Sequence, residues 1–270
     1  MGASDGIAYS KAQGVATIVF DRPERRNAVT LEMQQAYFSR LLEADSDPEV
    51  RIIVVTGAGD AFCAGADFNR LDTLVSDPRA RAASTQEALP RYLPLTLSRP
   101  VIAAVNGPAV GLGFVYAVFT DVRFAATSAV FSAPFARLGL VAEFGLSWFL
   151  PRLIGLGNAS DLLLSGRTID AAEAARMGLV QRVVGNDELL ETATSYAREI
   201  AGRCSPRSLA IIREQIFHDF EDGFRPAFER SLSYMGHALE EPDVVEGIRA
   251  LRERRPPAFS PYVPERVARD

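Results

Sequence analysis

A carboxylate, Glu143, stands in the run Ala133-Pro134-Phe135-Ala136-Arg137-Leu138-Gly139-Leu140-Val141-Ala142-Glu143-Phe144-Gly145, downstream of two glycine-rich turns. The first turn is Ala61-Phe62-Cys63-Ala64-Gly65-Ala66-Asp67-Phe68. The second is Asn106-Gly107-Pro108-Ala109-Val110-Gly111-Leu112-Gly113-Phe114. Each follows a short apolar run and is placed to open a helix, so each offers backbone N–H groups without an intrahelical partner. Small residues also let a ligand come close to the main chain. Two such helix starts facing one point would make an oxyanion hole, in which losing one donor costs about 3–4 kcal/mol of transition-state stabilisation. A carboxylate at its edge would move a proton next to the polarised carbonyl.

Each of these features also has a plainer reading. Either turn alone could be ordinary strand-to-helix punctuation. Gly57 and Gly59 start a dinucleotide-binding fingerprint, but Phe62 occupies the third glycine position. Glu143 precedes the helical run Gly145-Leu146-Ser147-Trp148, where a carboxylate would also favour the positive end of the helix dipole. Cys63, between Phe62 and Ala64, reads as an inert buried thiol. His218 and His237 fall in amphipathic helical segments suited to packing or surface roles. Asp121 reads as a structural hydrogen-bonding group, and Phe131, Trp148, Phe149 and Leu150 as core or pocket wall.

The elements that must position these groups follow from the apolar pattern. Val15–Phe20, Ile52–Val55, Val101–Val105, 121–125 and Val130–Ser132 read as strands, and Thr30 caps a helix with apolar positions Leu31, Met33, Tyr37, Phe38, Leu41 and Leu42. Residues 72–85 read as a mobile loop or frayed helix, and 87–98 as helix. From about residue 145 the pattern is helical: 146–153, 158–164, 171–176, 188–202, 206–219, 224–239 and 242–254. The proline-rich end, with Pro256, Pro257, Pro261 and Pro264, reads as irregular. The division expected is a strand-helix core over residues 1–200 and a helical region with a tail over 201–270.

At 270 residues, 48% apolar and 23% charged, the chain has the makings of a sizeable core. A net charge of −5 gives no broad footprint for nucleic acid. Two cysteines and two histidines supply neither a disulfide framework nor a usual zinc site. The N-terminus lacks the pattern of a secretory leader, and no apolar run approaches the roughly 18 residues of a membrane span. The expectation is a soluble protein of a reducing, cytoplasmic setting, with no metal, membrane or nucleic-acid partner.

Four segments in order carry a resemblance: Asp21-Arg22-Pro23 with Arg26-Asn27-Ala28, Phe62-Cys63-Ala64-Gly65-Ala66-Asp67, Pro100-Val101-Ile102-Ala103-Ala104-Val105-Asn106-Gly107, and Ala172-Glu173-Ala174-Ala175-Arg176-Met177-Gly178-Leu179-Val180. Over residues 8–258 the chain resembles the enoyl-CoA hydratase/isomerase (crotonase) superfamily. The resemblance implies an α/β fold with a crotonase-like ββα superhelix core and a helical C-terminal trimerisation region. It further implies an acyl-CoA substrate of the kind met in fatty acid metabolism, a homotrimer or dimer of trimers, and no cofactor beyond the coenzyme A of the substrate. It puts the oxyanion amides on Ala66 and Leu112, the latter where the family often has glycine. It also puts coenzyme A near Arg25, Arg26, Ala64 and Asp67, although loop arginines are commonly just solvated.

The departures from the family pattern decide the expected chemistry. Hydratases of this family use two glutamates, at positions that here hold Val115 and Phe135, two apolar residues that would line the substrate site. Neither can activate water or deliver a proton. Glu143 lies in a Pro-Phe…Leu-Gly-Leu…Glu pattern similar to that of Δ3,Δ2-enoyl-CoA isomerases, which need one base. The resemblance therefore implies an isomerase that shifts a 3-enoyl-CoA double bond to the 2-position. Hydration by Glu143 with an ordered water, or a coenzyme A-binding protein without turnover, are the alternatives.

Overall fold

The β-branched runs become the central strands of a parallel sheet. The structure is a computed structural model that describes residues 5–84 and 89–263. Among these residues a six-stranded sheet has the spatial order β1 (Ile7–Ala12), β2 (Val15–Phe20), β3 (Ile52–Gly57), β4 (Val101–Val105), β6 (Val122–Ala126) and β9 (Arg182–Val184). β1 and β2 form an antiparallel hairpin; every later pairing in this sheet is parallel. A smaller sheet joins β5 (Ala109–Val110), β7 (Val130–Ser132) and β8 (Thr168–Asp170).

Parallel strands buried on both faces carry continuous apolar runs, and Ile52-Ile53-Val54-Val55 shows why. Ile53 and Val55 join the cluster that includes Met33, Tyr37, Phe38 and Leu41 of α1 (Leu31–Ser46). Ile52 and Val54 point the other way, into the cluster with Leu189, Ala193, Ala197 and Ala201 of α9 (Leu189–Arg203). Alternation along one strand thus sends neighbouring side chains into two separate cores. Thr30 caps α1 as its sequence position implies, its hydroxyl accepting from Met33 N–H at 3.2 Å. This mixed α/β architecture with a helical C-terminal region is the fold class the sequence implies.

Three local expectations change. Residues 72–84 are helical, in α2 (Phe68–Ser76) and α3 (Pro78–Ser84), because Pro78 starts a new helix instead of breaking a frayed one. Of the helix expected over 87–98, residues 87–88 lie outside the described residues and the rest shrinks to α4 (Leu93–Thr96); Pro90 precedes it and Pro94 sits in its first turn, where proline starts a helix. Beyond residue 145, the helical run α6 (Leu146–Ile154), α7 (Leu156–Ser165) and α8 (Ala171–Arg176) is interrupted by the strand β8 before α8 and followed by the strand β9. Each of these strands has three residues, too few for alternation to register.

The C-terminal helices are α10 (Pro206–Asp219), α11 (Phe224–Glu240) and α12 (Pro242–Glu253); besides the packing of Leu209 and Phe217 against the core, α10 places a buried cation there. Arg213 of α10, its side chain 4% exposed, pairs with Asp121 through Nε at 2.9 Å. Its other nitrogens donate to the carbonyls of Pro94, Leu95 and Leu97 around α4. Asp121 in turn accepts from Val101 N–H of β4 at 2.6 Å. α11 contributes no buried residue, and its Phe224, Phe228, Leu232, Met235 and Leu239 are exposed. No helix among the described residues is long and apolar enough to cross a membrane. Replacing Asp121 by Ala strands a buried guanidinium and is expected to cost about 3–5 kcal/mol in urea unfolding. Asp121→Ala combined with Arg213→Met is expected to recover much of that loss.

Candidate active site

β3 and β4 run parallel, so the two glycine-rich turns that follow them emerge at the same edge of the sheet. There Cys63 and Ala109 form a parallel bridge. Cys63 N–H donates to the Pro108 carbonyl and Val110 N–H donates to the Cys63 carbonyl, each at 3.0 Å. The approach is so close that a β-carbon on Gly113 would lie 2.0 Å from the Cys63 carbonyl oxygen. Glycine is therefore required in the first turn of α5 (Leu112–Val118). On the other loop Gly65 has φ of 111°, and a β-carbon on it would lie 3.0 Å from the Val110 carbonyl oxygen and 3.8 Å from the Leu112 nitrogen. Gly65 thus carries Ala66 up to the start of α5.

Both expected donors are open. Val29 and Ala66 form a second parallel bridge, in which Val29 N–H donates to the Gly65 carbonyl at 2.8 Å and Asp67 N–H donates to the Val29 carbonyl at 3.0 Å. Flanked this way, Ala66 turns its own N–H to the opposite side, and among the described residues that N–H has no acceptor. Leu112 is the first residue of α5, and its N–H is one of the donors a helix start leaves over. The leucine side chain is packed into the core, 5% exposed, and the residue is not among those with positive φ. A leucine where the family often has glycine therefore costs the donor nothing.

The carboxylate arrives from the small sheet. β7 runs parallel to β5, and Gly111 N–H donates to the Ser132 carbonyl at 3.0 Å, so the chain leaving β7 passes beside the Leu112 turn. It runs through Phe135 and a 3-10 turn at Ala136–Leu138 to Glu143, which is half-buried. The cap of α6 is Gly145, with no side-chain hydrogen bond; the helix-capping role open to Glu143 is not realised. Only its backbone touches the helix, the Glu143 carbonyl accepting from Leu146 N–H at 2.9 Å. Between the two stand Phe144 with φ of 53° and Gly145 with φ of 75°. For a phenylalanine this left-handed conformation costs about 1–2 kcal/mol, a kind of strain that collects in functional loops.

Burial pushes the Glu143 carboxyl above the ordinary glutamate range, while Arg91 and Arg70 pull it back. Every other carboxylate with a displaced pKa among the described residues moves the opposite way: Glu32, Asp47, Asp67, Glu173, Glu191 and Glu246 are each held down chiefly by hydrogen bonds. Arg70 lies one turn of α2 beyond Ala66. It donates to Gln34 Oε1 at 3.0 Å, an oxygen that the Tyr116 hydroxyl approaches to 3.4 Å. Tyr116, one turn of α5 beyond Leu112, feels both arginines too. Val115 and Phe135, the positions where paired glutamates would stand, are buried apolar side chains, 1% and 4% exposed.

The expected coenzyme A stretch is divided. Arg25 and Arg26 are exposed on the loop after β2. Ala64 donates its N–H to the Arg26 carbonyl at 3.0 Å, and its own carbonyl accepts nothing among the described residues. Asp67 is engaged elsewhere: it pairs with Arg22 at 2.8 Å and caps α2 by accepting from Asn69 N–H at 3.0 Å. Cys63 is fully buried, and burial pushes its thiol up to about 12, so it is inert at neutral pH. No group of three or more His, Cys, Asp or Glu among the described residues could hold a metal ion.

Sequence reasoning missed Arg22, Asn27, Arg70, Arg91 and Tyr116. Asn27 Nδ2 donates to the carbonyls of Ala58 at 2.9 Å and Ala61 at 2.7 Å, and its Oδ1 accepts from Arg22 N–H at 2.9 Å. It thereby ties the loop after β2 to the first turn. Arg70 had a readable signal, one helical turn after a capping aspartate; Arg91 had none.

Comparison with known proteins bears on family and fold. Residues 10–261 match a family model described as enoyl-CoA hydratase/isomerase. A protein of Mycobacterium bovis named "probable enoyl-CoA hydratase" is 37% identical over 257 residues, covering 94% of this chain and 97% of that one. The 1,2-epoxyphenylacetyl-CoA isomerase of Escherichia coli is 34% identical over 254 residues, covering 92% and 95%. The crystal structure of an enoyl-CoA hydratase from Bacillus anthracis superposes with a TM-score of 0.87 at 30% identity, covering 95% and 100%. A steric consequence of the bridged turns is directly testable. Gly113→Ala is expected to cost about 3 kcal/mol, the upper end for overpacking. Gly157→Ala, where the added carbon meets nothing within 4 Å, is expected to be neutral or slightly stabilising in the same denaturation assay.

Proposed function

The chain belongs to the enoyl-CoA hydratase/isomerase family, and from that premise we propose that it shifts a 3-enoyl-CoA double bond to the 2-position with Glu143 as its proton shuttle. One observation carries this reading. The positions of the paired glutamates hold the buried apolar side chains of Val115 and Phe135, while Glu143 is a carboxylate that burial lifts toward neutrality. An isomerase needs one group that takes a proton and gives it back; hydration by the usual route needs two.

The thioester oxygen sits between the Ala66 and Leu112 N–H groups. Glu143 removes a proton from C2; the C2–H electron pair forms C1=C2 as the thioester C=O pair moves onto its oxygen, giving a dienolate that keeps C3=C4 and whose charge gathers on that oxygen. When the carbonyl re-forms, the C1=C2 pair becomes C2=C3 and the C3=C4 pair takes up a proton at C4. The glutamic acid formed returns the same proton to C4, leaving the 2-enoyl thioester and the starting carboxylate. Nothing is oxidised or reduced, so the cycle needs no cofactor beyond the coenzyme A already in the substrate. Val115 and Phe135 keep water out, which suppresses hydration and favours a carboxyl that holds its proton. The exposed arginines Arg25 and Arg26 offer charge to the phosphates of coenzyme A, and the open Ala64 carbonyl offers an acceptor to its adenine. The exposed apolar face of α11 would be covered in a homotrimer, and we include that assembly in the proposal.

A hydratase reading has its own support, in the hydratase name carried by the Mycobacterium relative. It would use Glu143 with one ordered water. Assays on matched 3-enoyl-CoA and 2-enoyl-CoA esters separate the two: the isomerase interconverts them, and strong hydration of the 2-enoyl ester without a double-bond shift overturns the proposal. Glu143→Gln is expected to lower kcat about 10²–10⁴-fold. Because the base acts ionised, wild-type activity is lost as pH falls through a pKa above that of an exposed glutamate. The stability effect has the opposite sense. A carboxyl whose pKa rises on folding destabilises while ionised, a deficit relieved as pH falls through the raised value. The Gln variant at neutral pH is therefore expected to unfold at the same urea concentration as the wild type or a higher one.

A further inference from the structure

The turn that aims Glu143 has a second support outside its own segment. Phe144 and Gly145 are both left-handed, and the glutamate backbone is fixed on one side by the Leu146 N–H. On the other side the Arg91 guanidinium lies over the Phe144 ring, 4.8 Å from its centroid. Arg91 itself is well rooted. It sits in the turn closed by Leu93 N–H donating to the Pro90 carbonyl at 2.9 Å. That turn enters α4, whose surrounding carbonyls are gripped by the buried Arg213 of the Asp121 pair. A continuous set of contacts thus runs from the sheet to the residue next to the carboxylate.

We propose that Arg91 is a positioning residue for Glu143: its guanidinium, stacked on Phe144, pins the left-handed turn that aims the carboxylate and sets a positive charge beside it. The inference rests on the reading of Glu143 as the base. The charged groups that act on Glu143 are Arg91 and Arg70, and both favour its ionised form against burial. They differ in contact: Arg91 stacks on the turn, whereas Arg70 hydrogen-bonds Gln34 from α2. Charge and stacking are therefore separable. A planar stack over a ring also suits guanidinium better than the compact ammonium of lysine.

The test uses the full-length protein with Arg91→Gln, Arg91→Lys, Arg70→Gln and Glu143→Gln. Two readouts are taken: the pH profile of turnover on a 3-enoyl-CoA ester, and ¹³C NMR titration of the labelled Glu143 carboxyl. Arg91→Gln is expected to move the acid limb and the NMR titration to higher pH. It should also lower the kcat plateau at least about tenfold through misalignment, with KM little changed. Arg91→Lys should restore the titration and leave the plateau low. Arg70→Gln should shift the titration and keep the plateau. If Arg91→Gln leaves titration and plateau at wild-type values, or raises KM alone, the positioning role is overturned. Full turnover in Glu143→Gln would instead overturn the base on which the inference rests. The NMR arm reads the coupling whichever reaction the enzyme runs, so the two failures are distinguishable.

Discussion

Two main-chain hydrogen bonds, Cys63 N–H to the Pro108 carbonyl and Val110 N–H to the Cys63 carbonyl, zip together the loops that follow β3 and β4. The rest of the site depends on that zipper. It explains why position 113 must be glycine, because the helix start is pressed against the Cys63 carbonyl. It explains why Cys63 is wholly buried and chemically quiet. It also fixes where the Ala66 and Leu112 amides lie with respect to each other before any ligand arrives. Donors held in advance need no reorganisation when charge develops, which is the basis of the oxyanion-hole role we propose for them.

The carboxylate is governed by a balance of opposite terms. Burial disfavours its charge, and two arginines restore part of the loss. For the proton shuttle we propose, burial alone would make the carboxyl hold its proton too firmly to act as a base, and the arginines alone would make it give the proton up too readily to return it. The left-handed Phe144 belongs to the same design. It makes the chain turn so that Glu143 is released from the helix α6, leaving Gly145 to cap it.

Much of this was legible in the sequence where local rules dominate. Thr30 announced α1, the Ile52–Val55 run announced a strand buried on both faces, and Asp67 announced the start of α2. The two turns followed from their motifs, whereas the Ala66 and Leu112 positions came from the family resemblance. What stayed hidden depends on long-range pairing. Asn27 gives no periodic signal, yet its side chain holds carbonyls more than thirty residues away. Arg213 looks like any helix arginine until the fold brings Asp121 to it from 92 residues upstream. Arg91 acquires meaning only beside Phe144, and three-residue strands such as β8 and β9 exist because of their neighbours, not their composition.

The division of labour between backbone and side chain accounts for how such a fold can change its reaction without losing its site. The open amides of Ala66 and Leu112 are main-chain groups, held near the Cys63–Ala109 and Val29–Ala66 bridges, and so a leucine at 112 does not remove them. Proton-transfer groups are side chains, and they can be removed or moved one at a time. Val115 and Phe135 are buried apolar side chains; in the function we propose they stand where the glutamates would be, leave the zipper intact and raise the influence of the carboxylate that remains. In the reaction we propose, the outcome depends on where Glu143 is aimed, and so on the turn at Phe144 more than on either glycine-rich loop.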